Sequence, residues 1–146
     1  MTVDPERLNR LRANASLAVE QLGAISGMEF GLDEASVAWV EGFIERQRAQ
    51  HASGESTGGL VNVLGSYLGE AIIAAADGRW DEDIDGNLGV AFPNGDMAYP
   101  FTKVAKQFEQ GLEGGESILS FYKVSVNYIA TGQLGKAATD EPSEAP

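Results

Sequence analysis

The stretch GRWDEDIDGNLGVAFPNGDMAYP, Gly78 to Pro100, decides the fold, because here the hydrophobic spacing of the chain changes to two. Trp80, Glu82 and Ile84 alternate with Arg79, Asp81, Asp83 and Asp85, and Leu88, Val90 and Phe92 alternate with Gly89 and Ala91. Alternation of this kind marks strands with one covered face. Asp85-Gly86-Asn87 lies between the two runs and carries a strong hairpin signal, Pro93-Asn94-Gly95-Asp96 is a second turn, and Met97 to Tyr99 has the length of a short third strand. The segment predicts a three-stranded antiparallel meander. Trp80, Ile84, Leu88, Val90 and Phe92 are expected on its buried face, and Asp81, Asp83 and Asp85 together on the other.

Outward from this segment the period is helical. Asp4-Pro5-Glu6 combines an N-cap acceptor, a first-turn proline and an acid at the positive end of the helix dipole. Leu8, Leu11, Ala15, Ala18, Leu22 and Ile25 then form one apolar stripe, and Gly23 and Gly27 mark its end. Asp33 is the N-cap of a second helix reaching about Gln50, with Val37, Val40 and Ile44 as its core line and Trp39 and Phe43 widening it. A polar loop, SGESTGG, leads to a third helix from about Leu60 to Ala76, in which Leu60, Leu64, Leu68, Ile72 and Ala75 face one way. Gly65 and Gly69 leave a shallow groove on it, read as a place of close helix–helix contact. After Pro100, Phe101, Val104, Ala105, Phe108 and Leu112 give a fourth helix. The run Ser117–Ala130 is rich in β-branched and aromatic residues, yet its length and its Ile118, Tyr122, Ser125, Ile129 spacing favour a fifth helix. The fold expected is α+β: three N-terminal helices, the meander, and two C-terminal helices. One domain is expected over 1–134, followed by a polar, disordered acidic tail over 135–146.

Composition narrows the function classes. The chain has 146 residues, no cysteine and a formal net charge of −12. Without cysteine there is neither a disulfide framework nor a thiolate zinc site. The N-terminus MTVDPERLNR lacks the basic and apolar regions of a secretory signal, and no apolar run is expected to approach the roughly 20 residues that span a bilayer. A soluble, cytoplasmic protein is expected. Residues 51–100 carry one base against eight acids, a net −7, so the middle of the chain is its acidic part. Such a surface repels phosphate backbones and anionic lipid heads, which argues against nucleic acid and membrane as partners and leaves a basic protein or a cation. A homodimer is compatible with the sequence, and no cofactor is implied.

Three motifs bear on chemistry. Asp81, Asp83, Asp85 and Gly86 match the start of an EF-hand loop, but the twelfth position, which should supply a bidentate glutamate, is Phe92. The hairpin turn is preferred, with Asp81, Asp83 and Asp85 as the candidate ligands of a weak metal site that would make the chain a metal-stabilised structural domain. GESTG, Gly54 to Gly58, fits the serine-hydrolase elbow, but a helix rather than a strand precedes it and the only histidine, His51, lies before Ser56 instead of after it. A loop in which Ser56 or Thr57 caps the next helix is preferred, and His51 reads as a helix-end surface residue. Glu70 on the third helix could join a hairpin aspartate in glycosidase-like hydrolysis, if the two carboxyls face one another across a cleft. The plainer expectation is that Glu70 bonds Arg79 or a backbone amide and ties helix to hairpin. Trp39 and Trp80 are expected in the core.

Three segments, WVEGFIERQR (Trp39–Arg48), LGSYLGEAI (Leu64–Ile72) and GRWDEDIDGNLGVAFPNGDMAYPFTKVAKQFEQG (Gly78–Gly111), together resemble a family of short bacterial domains of unknown function. Leu64, Gly65, Tyr67, Leu68, Gly69 and Glu70 match its helix motif, Gly78 and Trp80 its lead into a hairpin, and Pro100 and Phe101 the step into the following helix. The resemblance covers about residues 35–125. It implies an α+β domain, assigns no activity or catalytic residue, and makes Tyr67, Glu70 and Trp80 the stronger candidates for a shared site. With Arg79 these residues form the candidate binding set. The function expected is a non-enzymatic acidic binding protein of the bacterial cytoplasm, with the small hydrolase and the metal-stabilised domain as alternatives.

Overall fold

The computed structural model describes residues 3–50 and 57–132. His51, Ser56 and the tail over 135–146 lie outside the described residues. The described residues form five helices and a three-stranded antiparallel sheet: α1 (Pro5–Ser26), α2 (Glu34–Gln50), α3 (Gly58–Ala76), β1 (Arg79–Glu82), β2 (Leu88–Ala91), β3 (Met97–Ala98), α4 (Pro100–Gln110) and α5 (Ile118–Val124). The α+β arrangement expected from the alternating and helical periods is the one observed. The run after Ser117 is helical, and its last part, Ser125–Ile129, widens into a π-helical turn.

Local chemistry sets the boundaries. The Asp4 carboxylate accepts from the Glu6 amide at 3.0 Å to open α1, and Gly27, at φ 68°, closes it in the left-handed conformation that glycine adopts without strain. Asp33 Oδ1 accepts from the Ser36 amide at 2.9 Å to open α2, and the Ser36 hydroxyl, together with that amide, holds the Asp33 carboxyl below its ordinary pKa. Thr57 stands at the start of α3 but makes no side-chain cap. Both hairpins close in the same way. Asp83 N donates to Asn87 O and Gly86 N to Asp83 O, while Phe92 N donates to Asp96 O and Gly95 N to Phe92 O, all at 2.9 Å. Gly86 and Gly95 take φ of 83° and 92°. This is the three-residue loop whose last residue must be left-handed, which is why D-G and N-G stand there.

The core lies around α3. Leu64, Tyr67, Leu68, Ala71 and Ile72 are buried, and α1, α4 and the sheet pack around them. The helix is 19 residues long and apolar enough to cross a membrane by length and composition, a correction to the expectation that no run came close. Part of that composition reflects burial of the helix's middle: every residue from Leu64 to Gly69 is covered by protein. α1 contributes Leu11, Ala15, Ala18 and Leu22 to the core, but Ile25 at the end of its stripe is exposed. The second layer joins α2 to α4 and α5 through the fully buried Gln107. Its Nε2 donates to Glu45 Oε2 at 2.9 Å, and its Oε1 accepts from the Ile118 amide at 2.8 Å.

Candidate functional site

Gly65 and Gly69 of α3 hold aromatic rings rather than another helix backbone. The Trp80 indole from β1 lies on Gly69 and the Phe101 ring from α4 lies on Gly65, so closely that a methyl group on either glycine would overlap the ring. The two rings sit 5.8 Å apart at 42°. The groove was legible in the sequence, but its occupant was not. Trp80 then reaches the next residue along: its Nε1 donates to Glu70 Oε2 at 2.7 Å. Glu70 was expected to bond Arg79 or a backbone amide. Arg79 instead pairs with Asp81 at 3.2 Å and is largely exposed. The indole wins because its body is fixed over Gly69, which places its one donor beside Glu70.

Tyr67 faces elsewhere. It is fully buried, packs against Phe30 at 5.5 Å between ring centroids, and donates to the Gly31 carbonyl at 2.6 Å. Burial, aided by the Asp33 charge, pushes its phenol well above the ordinary tyrosine pKa, so it stays a neutral donor. It pins the α1–α2 connection onto α3. Of the candidate set, Tyr67 is sealed, Arg79 points outward, and only Glu70 and Trp80 meet.

The hairpin aspartates have three different surroundings. Asp81 is buried, as is Trp80 beside it, so both sides of β1 are covered there. Its Oδ1 accepts from the Glu82 amide at 2.8 Å, which with Arg79 holds its carboxyl below the ordinary range. Asp83 lies just past the strand. Its Oδ1 accepts from the Asp85 and Asn87 amides, both at 2.9 Å, and its Oδ2 accepts from the Tyr99 hydroxyl at 2.8 Å. These bonds, the Asn87 amide first, lower its pKa. Ile84, expected in the core, is 96% exposed at the tip. The alternation fails because the turn opens at Asp83, three residues before the glycine that announces it. Asp81, Asp83 and Asp85 are therefore not assembled as metal ligands: the first two spend their oxygens on N–H and O–H donors, Asp85 is exposed, and among the described residues no three acidic or histidine side chains converge.

Two clefts flank α1. Arg7, Arg10 and Asn14 recur along one edge of the helix and line a cleft of about 940 Å³, closed on its other sides by Asn62 and Ser66 of α3, by Asp83 and Leu88 of the hairpin, and by Tyr99 and Phe101. Arg12, Ser16 and Val19 recur along the other edge and line a more apolar groove of about 490 Å³ that includes Glu70. Glu70 and Asp83 thus line separate clefts on opposite flanks of one helix. The paired-carboxylate geometry that hydrolysis would need is not assembled between them. Arg10, Asn14 and Tyr99 were not singled out in the sequence, although the i, i+3, i+7 spacing of Arg7, Arg10 and Asn14 marks one edge of a helix. No protein-family model, curated protein or solved structure matches this chain, so the site rests on its own geometry.

Proposed function

We propose that the chain is a non-enzymatic binding domain that recognises a basic protein through the tip of the β1–β2 hairpin. The observation that carries this reading is the exposure of Ile84, 96%, between Asp83 and Asp85. A turn tip ordinarily carries polar residues, and a large aliphatic side chain held there in water gains from entering a partner's apolar pocket. The turn is already fixed by the Asp83 bonds to Asp85, Asn87 and Tyr99, so little ordering is left for association to impose. The surrounding charge selects the partner: with one base against eight acids in residues 51–100, a cationic surface is attracted while nucleic acid and anionic lipid are repelled. A reducing bacterial cytoplasm suits a chain without cysteine.

The test compares the wild-type chain with Ile84→Lys and Asp85→Lys as affinity baits, followed by calorimetry with the purified candidate. A basic protein held by the wild type and lost from both variants supports the reading. A retained set that does not differ between wild type and variants overturns it.

A further inference from the structure

The larger cleft beside α1 carries a different chemistry from the acidic tip. We infer that it is a small-molecule site for an organic monocarboxylate, with the carboxylate against Arg10 and an apolar body against Phe101 and Leu88. Three features lead there.

The first is the cation. In a chain of net charge −12, the edge of α1 facing this cleft presents Arg7 and Arg10. Arg7 is occupied, since its Nη1 meets Glu82 Oε2 at 2.9 Å. Arg10 has no partner among the described residues, and neither has Asn14 one turn further on. A free guanidinium beside a free amide matches a carboxylate, whose two oxygens take the planar fork.

The second is the fixed anion. Asp83 lines the same cleft, and its oxygens already accept from two backbone amides and from Tyr99. With the Asn87 side-chain amide as a fourth donor, 3.4 Å from Oδ2, it has little acceptor capacity left for a ligand ammonium group, yet it remains charged. A second negative charge on the ligand would face it. The Arg7–Glu82 pair is neutral as a unit, so Arg10 and Asp83 leave the cleft balanced, and one added negative charge on the Arg10 side is what this arrangement tolerates. A phosphate dianion fits poorly.

The third is the floor. Leu11 is buried, while Val61, Leu88 and Phe101 are only partly covered and present apolar surface to the opening. Ligand sites combine such surface with a few fixed polar groups. An aryl or alkyl chain lying on Phe101 and Leu88 would bury it.

The experiment is a titration followed by amide ¹H–¹⁵N correlation spectra of the intact chain. The probes are phenylacetate and hexanoate, with phenylacetamide and inorganic phosphate as controls at equal ionic strength. The expected result is saturable movement of the Asn14, Asn87 and Thr102 amides with at least one carboxylate, and none with either control. Arg10→Gln, an exposed position whose fold is checked by its melt, weakens carboxylate binding by about fivefold, the size expected of a solvent-screened charge pair. Absence of a saturable response to both carboxylates overturns the inference. So does an equal response to the amide or to phosphate, or unchanged affinity in Arg10→Gln.

Discussion

Trp80 Nε1 donates to Glu70 Oε2 at 2.7 Å while the same indole covers Gly69, the residue before Glu70. One side chain therefore both fills the groove of α3 and satisfies the carboxylate at its rim. Trp80→Phe keeps an aromatic ring but loses the donor and part of the volume, and should lower unfolding free energy by about 2–3 kcal/mol. Glu70→Gln keeps an acceptor for the indole and should cost less than about 1 kcal/mol. Urea denaturation of the two variants checks the ranking; equal losses would show that the carboxylate charge, not the donor–acceptor geometry, matters at this site.

Glycines on the same helix should respond in opposite directions. Gly69→Ala drives a methyl group into the Trp80 ring and should destabilise by about 2–3 kcal/mol. A methyl group on Gly59, near the start of α3, meets nothing within 4 Å, and Gly59→Ala should stabilise by about 0.5–1 kcal/mol through the lower backbone entropy of the unfolded chain. Thermal melts of both variants are sufficient.

Gln107→Leu is expected to be more damaging than its similar volume suggests. It removes the acceptor of the Ile118 amide and the donor to Glu45 in a fully buried position. An unsatisfied buried amide N–H costs about 1–3 kcal/mol, and the Glu45 carboxylate loses a partner in addition. Amide hydrogen exchange at Ile118 should accelerate together with the fall in melting temperature.

Acid should loosen the β1–β2 turn before it unfolds the core. The Asp83 carboxyl has a depressed pKa in the folded chain, because the Asn87 amide, Tyr99 and the Asp85 amide all donate to its ionised form. Its contribution is complete above the unfolded aspartate pKa of about 3.9 and is lost as pH falls below that value through the lower folded one. The urea midpoint should therefore fall with pH in that window for the wild type, and less so in Asp83→Asn, which has no charge to lose there. Carbon-detected titration of the Asp83 carboxyl gives the direction independently.

The helices and the hairpins were legible because caps, periods and turn glycines act locally. Asp4-Pro5, Gly27, Asp33 and the two left-handed glycines stand where the sequence puts them. What was not legible depends on which side chain reaches across the core. Nothing local tells that the Gly65–Gly69 groove receives two aromatic rings, or that Gln107 sits beneath α2 and α5. The hairpin misled at one point. Strict alternation puts Ile84 inside, but a glycine that must be left-handed at the last loop position fixes the start of the turn three residues before it, at Asp83, and sends Ile84 outward. For the site, the residues chosen by resemblance served packing, while the clefts were lined by ordinary polar residues such as Arg10, Asn14 and Tyr99.

The attachment of α2 has a consequence for how the chain is made. Its apolar row, Val37, Val40 and Ile44, faces α4 and α5, and Glu41 on the same helix accepts from Ser117 and from the Leu119 amide at 3.2 Å. Those partners are encoded 76 and 78 residues later. During synthesis from the N-terminus, α1 and α3 can meet once the residues up to Ala76 have left the ribosome, whereas α2 must wait for those up to Leu119. Until then the apolar row of α2 lacks the surface it covers in the folded chain, so closure of this layer is a late step in folding from the N-terminus.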